Sequence, residues 1–550
     1  MTKSFDDTAL DHKIDNYIET VNKTFPSKAT MAGFHEYDHA LDHVDSNSLN
    51  EYFRFVRKIL DDLDSIEKQD RMSQDNRLDI EMFRRHLMAE LAEYKMYNQF
   101  MINPIIYPRA ALFTCFILII RRFAPAEERY KSLAGRLNDI PRFLSEAENT
   151  LSESDSVPKI WIDITRDICR SGKAFFNQSV CQLAGQHDLL KNELLAASTL
   201  ASKAFDNYVQ FLDNELARKP DRSFAAGEEY FNFLLKEYHV LPYDATQLKK
   251  IGLEYIESTI SQMEEIAADI DSSKDWTEII NDIKSDTPKP EEILEYYREM
   301  MQKSREFVID KNFVSVPEDE SLEVIETPVF SRSMLPYAAY MRPAPFEKEQ
   351  KGFFWVTPVD TGLPEEKVKE QLSGHSRAAI VKKAIHEGYP GHHLQLCHAN
   401  RLKSKIRRLM GTTSFIEGWA FYCEEMMKEQ GFYDDKRIVL IQLKDQLWRA
   451  CRVVIDVGLH TGDMTFGEAV EMLVKTARLE KGSAVAEVKR YTHTPTQPMS
   501  YLTGKIELTK LIEEYREKYP AASLKEIHDF VLSCGSFPIA LIRKGIPGTN

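Results

Sequence analysis

A proline at position 390 stands four residues after a histidine, inside a segment whose other residues favour helix, and it limits what the surrounding chain can fold into. Its ring lacks an N–H and would clash with the carbonyl of residue 386, so no unbroken helix passes through this point. The interrupted stretch reads His386-Glu387-Gly388-Tyr389-Pro390-Gly391-His392-His393-Leu394-Gln395 and is followed by Glu417-Gly418-Trp419-Ala420. A histidine beside a glutamate, with two more histidines close behind, is the material of a zinc site with an attached general base.

In the ordinary His-Glu-x-x-His motif, one helical turn brings two imidazoles to one metal while the glutamate activates the bound water. Here Pro390 occupies the place of the second histidine. On an undistorted helix at ~100° per residue, His392 would sit ~240° from His386 and face away. His392 is a ligand only if Gly388-Tyr389-Pro390 loops out as extra residues and Gly391-His392 resumes the helix in register. His393, seven residues on, would share a face with His386 but lie ~10 Å farther along the axis. It is the second choice as ligand and a candidate to orient one. The third ligand of a hydrolytic zinc is commonly a carboxylate. Glu417 lies 25 residues after His392, room for a helix from His393 to about Met410, a Gly411-Thr412-Thr413-Ser414 connection and a second helix. Ser414, three residues before Glu417, also gives the spacing of a capping box, a purely structural use for the carboxylate.

The string His386-Glu387-x-x-Pro390-Gly391-His392-His393-x-Gln395, followed by Glu417-Gly418-Trp419-Ala420-x-Tyr422-x-Glu424, resembles the signature of the domain of unknown function 885, a family of predicted zinc metallopeptidases. More distantly it is similar to the helical gluzincins: angiotensin-converting enzyme, thimet oligopeptidase and the thermostable carboxypeptidases. Their His-Glu-x-Gly-His aligns with Gly391-His392 once the extra residues are removed. The resemblance continues through Arg449-x-x-Arg452, Asp456-x-Gly458-Leu459-His460 and Tyr491 to Gly504, covering most of residues 325–545. The N-terminal half matches loosely, in helix content and in pieces such as Tyr107-Pro108-Arg109. The resemblance implies that His386, His392 and Glu417 hold one Zn2+ and that Glu387 is the general base. The second histidine stays open between His392 and His393.

The chain has 71 Lys and Arg against 86 Asp and Glu, a net charge of −15, which argues against nucleic-acid and anionic-membrane partners. Met1-Thr2-Lys3-Ser4-Phe5-Asp6-Asp7 lacks the basic-then-apolar layout of a signal peptide. The longest apolar run, Ala110–Ile120, falls short of the ~20 residues of a spanning helix and reads as a buried one. Seven cysteines, scattered and without Cys-x-x-Cys spacing, suggest neither a disulfide framework nor a cysteine zinc site. Cys397 and Cys423 are read as buried filler, and the cytoplasm is the expected compartment.

From residue 10 to about 310 the pattern is helical. Ile14, Tyr17, Ile18, Val21 and Phe25 form one apolar stripe, and Tyr52, Phe55, Val56, Ile59, Leu60 and Leu63 another. Further helices are expected near 79–97, 126–151, 159–184, 186–216, 226–238 and 246–270. Between Lys311 and Pro364, short runs around Val314–Val316, Val324–Ile325 and Gly352–Pro358 predict a small sheet before the metal segment. In the resembled enzymes an edge strand near the zinc binds extended peptide. Gly352–Pro358 is the candidate here, and its aromatics equally suit a core strand. A helix over Lys367–His386 would carry the first ligand, and others follow at 417–430 and 434–460. The expected fold is mainly α: a two-lobed helical shell around a deep cleft with a small sheet by the zinc. The lobes are an N-terminal one over residues 1–310 and a catalytic one over 311–550, with one continuous fold as the alternative.

Several residues are candidates to support the site. Asp456 and His460 share a helix face, and a carboxylate often accepts the second N–H of a metal-bound histidine. Arg449 and Arg452 are suited to a substrate carboxylate, or are simply solvated. The segment from Arg490 through Tyr491, His493 and Gln497 to Tyr501 is a proline-rich loop feeding a helix near Pro498. The gluzincins that the chain resembles place tyrosines after a loop of this kind, and that resemblance makes Tyr501 the first choice as donor to an oxyanion, ahead of Tyr491 and His493. The predicted activity is hydrolysis of amide bonds in short peptides. The rivals are a hydrolase of a non-peptide amino-acid conjugate and a helical binding protein that keeps the metal site without turnover.

Overall fold

The computed structural model describes residues 5–67, 72–327, 332, 335 and 337–548. Helices form most of it, and one three-stranded sheet lies where the sequence changes character. The described residues form two compact units. One holds residues up to Phe224 together with Ala344–Glu349; the other holds Ala225–Thr327, residues 337–343 and everything from Gln350 onward.

In the first unit, Ile14, Tyr17 and Ile18 of the Phe5–Thr24 helix and Tyr52, Val56, Ile59 and Leu63 of the Ser46–Glu67 helix are buried, as their spacing predicts. The apolar run is the buried helix Ile106–Ile120. Among the described residues, no single helix is long and apolar enough to cross a membrane. Three helices read as continuous contain π turns, at Glu93–Tyr97 and Phe175–Val180 in this unit and at Leu234–Tyr238 in the other. A π turn widens one turn without disturbing composition, so apolar periodicity does not reveal it.

In the second unit, β1 (Ser321–Glu326) and β2 (Ala338–Met341) flank β3 (Lys351–Val356), with β1 parallel and β2 antiparallel to it. β3 is thus the central strand and offers no free edge to a peptide. Its run of Phe353, Phe354, Trp355 and Val356 is buried throughout, the pattern of a strand covered on both faces. Val314 and Val316 form no strand.

Around the histidines, elements read as single helices are broken. Lys367–His386 is in three pieces: Glu365–Ser373, Arg377–Lys383 capped by Ser376, and a π turn at Ala384–Gly388. The next helix runs His392–Asn400, then restarts as Lys405–Leu409 behind the Ser404 cap. The Thr413–Glu429 helix is N-capped at Thr412, so Ser414 lies inside it and Glu417 is no capping-box partner. The loop after Tyr491 ends in the helix Ser500–Lys518, two residues beyond Pro498.

Thr413–Glu429 packs along Ser500–Lys518 with the backbones in direct contact. A Cβ on Gly418 would lie 2.6 Å from the Gly504 Cα, and one on Gly504 would overlap the Ser414 carbonyl oxygen. Gly504→Ala should therefore destabilise the protein by about 3 kcal/mol or more in urea unfolding, because the obstruction is backbone that cannot turn aside. Gly467→Ala, whose Cβ would meet nothing within 4 Å, is the control and should be neutral or stabilising by up to ~1 kcal/mol.

Candidate metal centre

The break at Pro390 is built from specific hydrogen bonds. The π turn closes through the Tyr389 N–H to the Ala384 carbonyl (3.1 Å), the Tyr389–Pro390 peptide is cis, and the Gly391 N–H reaches the Ile385 carbonyl (3.0 Å). Position 391 must be glycine, since any Cβ there would overlap the carbonyl of His386. Trp419 Nε1 donates to the Pro390 carbonyl (2.8 Å), and Ser304 Oγ donates to the Tyr389 carbonyl, which tie the loop to two helices. His392 then opens a new helix as its first residue. The segment does not resume one helix in register; it stops, turns and restarts.

This arrangement brings His386, His392 and Glu417 together, with one ligand atom from each within 4.8 Å of the others. Glu417 Oε2 lies 3.3 Å from His392 Nε2 and 3.8 Å from His386 Nε2, and the two imidazole rings stand edge to face at 4.8 Å. Bonds of ~2.0–2.1 Å to a tetrahedral zinc would separate ligand atoms by about 3.3 Å, so the donor set and its spacing fit that ion. His386 Nδ1 pairs with Glu424 Oε1 at 2.7 Å, which leaves its Nε2 facing Glu417. Burial alone would disfavour the His386 imidazolium, but Glu417 and Glu424 outweigh it and push the group up to about 9. Burial likewise opposes ionisation of Glu417, yet the two histidines hold it well below the usual carboxylate range.

His393 belongs elsewhere. It is fully buried, with Nε2 on Glu320 (2.8 Å), Nδ1 on the Tyr340 hydroxyl (3.1 Å) and Cys397 Sγ at 3.7 Å. A Cβ on Gly352 would come within 2.7 Å of its Nδ1, so β3 passes against this ring. Cys397 and Cys423 are buried filler, as expected.

Glu387 is half-buried and follows His386 in the π turn. Burial, and after it the Glu387 carboxylate, raise the pKa of Tyr297, and Glu387 has no hydrogen-bond or ion-pair partner among the described residues. Tyr501 stacks on His386 with ring centroids 6.4 Å apart, and Arg452 and Arg449 place their guanidinium carbons 4.1 and 5.4 Å from its ring. Gln497 Oε1 accepts from Arg490 (2.8 Å) and Arg452 (3.4 Å). Tyr491 is buried with its ring beside Arg452 and Arg490, and His493 is buried in the turn that follows it.

Asp456 and His460 do not support a ligand histidine. Asp456 accepts the backbone N–H groups of Thr496 (3.2 Å) and Met499 (3.0 Å), pinning the loop that leads to Tyr501. His460 bonds the Tyr491 carbonyl through Nε2 (3.0 Å) and accepts the Ala226 N–H at Nδ1 (3.3 Å). Burial pushes it down to about 4. The carboxylate that does hold His386 is Glu424, seven residues after Glu417. Two helical turns put these on the same face, a relation legible in the spacing. Glu320, 73 residues before its partner His393, carried no such signal.

The chain belongs to the family described as "Bacterial protein of unknown function (DUF885)", whose profile matches residues 26–546. Two solved structures share its fold along nearly the whole length. One is described as a "putative lipoprotein of unknown function" from Shewanella oneidensis, with a TM-score of 0.79, 22% identity and 99% of each chain covered. The other, a "putative lipoprotein" from Colwellia psychrerythraea, has a TM-score of 0.83 at 18% identity, covering 97% of this chain and 98% of its own. No curated protein matches the sequence.

The Glu320 cluster sets a pH dependence. Burial would raise this carboxyl, but hydrogen bonds from His393, Tyr389 and Arg305 bring it from 4.5 down to about 2. A group depressed on folding stabilises the protein above its unfolded pKa and loses that contribution as pH falls through the folded one. Glu320→Gln should cost roughly 2–3 kcal/mol at pH 7, and urea unfolding should show the gap to wild type narrowing between pH 5 and pH 2.5.

Proposed function

We propose that this protein is a zinc-dependent hydrolase that cleaves amide bonds in short peptides. The observation that carries the reading is the convergence of His386, His392 and Glu417 donor atoms within 4.8 Å, beside a half-buried Glu387 with no partner of its own among the described residues. Two imidazoles and a carboxylate make up the three-ligand set of hydrolytic zinc sites, with one coordination position left open. A zinc ion there supplies a water of lowered pKa and polarises a carbonyl.

The chain's own groups do the rest. Glu387 takes the proton that the attacking water loses as its oxygen bonds to the carbonyl carbon, and hands it to the amine nitrogen as the C–N bond breaks. Tyr501, whose pKa burial and Glu417 raise, keeps its hydroxyl proton and donates it in a hydrogen bond to the developing oxyanion. Glu424 fixes the tautomer and orientation of His386. Asp456 holds the loop that sets the start of the Tyr501 helix.

Elemental analysis of the purified protein should find one zinc per chain. Glu387→Gln should retain that zinc and lose about 10²–10⁴-fold in kcat on short peptides, since it removes proton transfer alone. Glu424→Gln should weaken zinc about 10–100-fold in chelator competition. A zinc-bound wild type no faster than Glu387→Gln on a peptide library and on N-acyl amino acids would leave a binding protein in place of a hydrolase.

A further inference from the structure

We infer that Arg449 and Arg452 form a receptor for a substrate carboxylate, so that the bond cleaved lies one or at most two residues from a free carboxyl end. The inference rests on the hydrolase reading for the word substrate, but the receptor itself stands on separate observations. Both arginines are withdrawn from water, with 8% and 3% of their surface exposed. Arg452 has no carboxylate within ion-pair distance among the described residues; its hydrogen-bond partner is the neutral amide oxygen of Gln497 at 3.4 Å. Arg449 reaches only Asp445, at 3.6 Å, and that carboxylate is already paired with Lys382.

The other acids nearby are committed. Glu487 pairs with Arg490 at 2.7 Å, and both oxygens of Asp456 accept backbone amides. What surrounds the two guanidinium groups is aromatic: Trp448 lies 5.1 and 5.9 Å from their carbons, and the Tyr501 ring is near both and also near His386.

The same place concentrates unused hydrogen-bond donors. Arg449 Nε, Arg452 Nε and Trp448 Nε1 are buried without a partner. Buried donors left unpaired are few in native proteins, and buried guanidinium without a counter-charge is unfavourable. Such donors gathered around the Trp448 and Tyr501 rings have the chemistry of an anion site, and the planar fork of arginine matches a carboxylate.

The reach is short. Steps of 4.1 Å from Arg452 to the Tyr501 ring and 6.4 Å from that ring to His386 bound the path from receptor to metal ligand. An extended residue spans ~3.3–3.6 Å, and the anion and the reacting carbonyl each take up part of the distance. One residue fits, or two. The substrate class is therefore a peptide trimmed from its carboxyl end or an N-acyl amino acid, and a peptide cut internally is excluded.

The test compares N-acetyl dipeptide acids with their carboxyl amides. On zinc-loaded wild type, kcat/KM for the acid should exceed that for the amide by about 100-fold. Calorimetry with Glu387→Gln should show the acid binding and the amide not, a readout independent of turnover. Adding Arg452→Met to Glu387→Gln should lower acid affinity about 100-fold while the melting temperature holds, because no buried carboxylate is left unpaired. Equal hydrolysis of acid and amide would overturn the receptor and leave the hydrolase standing. Selective binding of the acid without hydrolysis of either would do the reverse. A fall in melting temperature with unchanged acid binding would make Arg452 a structural residue and overturn the inference.

Discussion

Glu417 carries a negative charge into a largely water-excluded interior, and the surrounding structure is arranged to offset that cost. Two imidazoles face its carboxylate at 3.3 and 3.8 Å. One of them is held from behind by Glu424, which is completely buried, and Lys382 lies 3.7 Å from Glu424 while pairing with Asp445. Charges thus alternate outward from the centre, so that each buried ion has an opposite neighbour. A cation shared by Glu417 and the imidazoles would extend the same alternation inward.

The alternation thins on one side, at Arg449 and Arg452. Arg449 shares Asp445 with Lys382, and Arg452 has aromatic faces and an amide oxygen for company in place of a carboxylate. Cation–π contact lessens the desolvation of a guanidinium but leaves its N–H groups unspent. Asp456 and His460 spend their hydrogen bonds on backbone, whereas each arginine keeps a buried Nε–H without a partner.

Much of this was legible in the sequence, and what was not has physical causes. The helical half follows from apolar spacing, and His386, His392 and Glu417 converge as their residue types suggested. The route between them was misread: Gly388-Tyr389-Pro390 is no bulge in a continuing helix but a π turn, a cis peptide and a fresh start at His392. Such turns depend on which carbonyl a given N–H finds, and composition does not encode that choice. β3 was central because its aromatics are buried on both faces, a property that a run of Phe-Phe-Trp-Val announces once taken at face value. Asp456 and His460 were candidates to support a ligand because they share a helix face, but spacing tells what shares a face and not which loop lies across from it.

The contact of Gly418 with Gly504 has a mechanical meaning. Glu417 precedes one of these glycines by a single residue, and Tyr501 precedes the other by three. With main chain resting on main chain, the carboxylate that would hold the ion and the phenol that would meet the oxyanion are yoked by peptide backbone. Their separation is set by how closely those two helices approach, with no side chain between them at this point to take up slack.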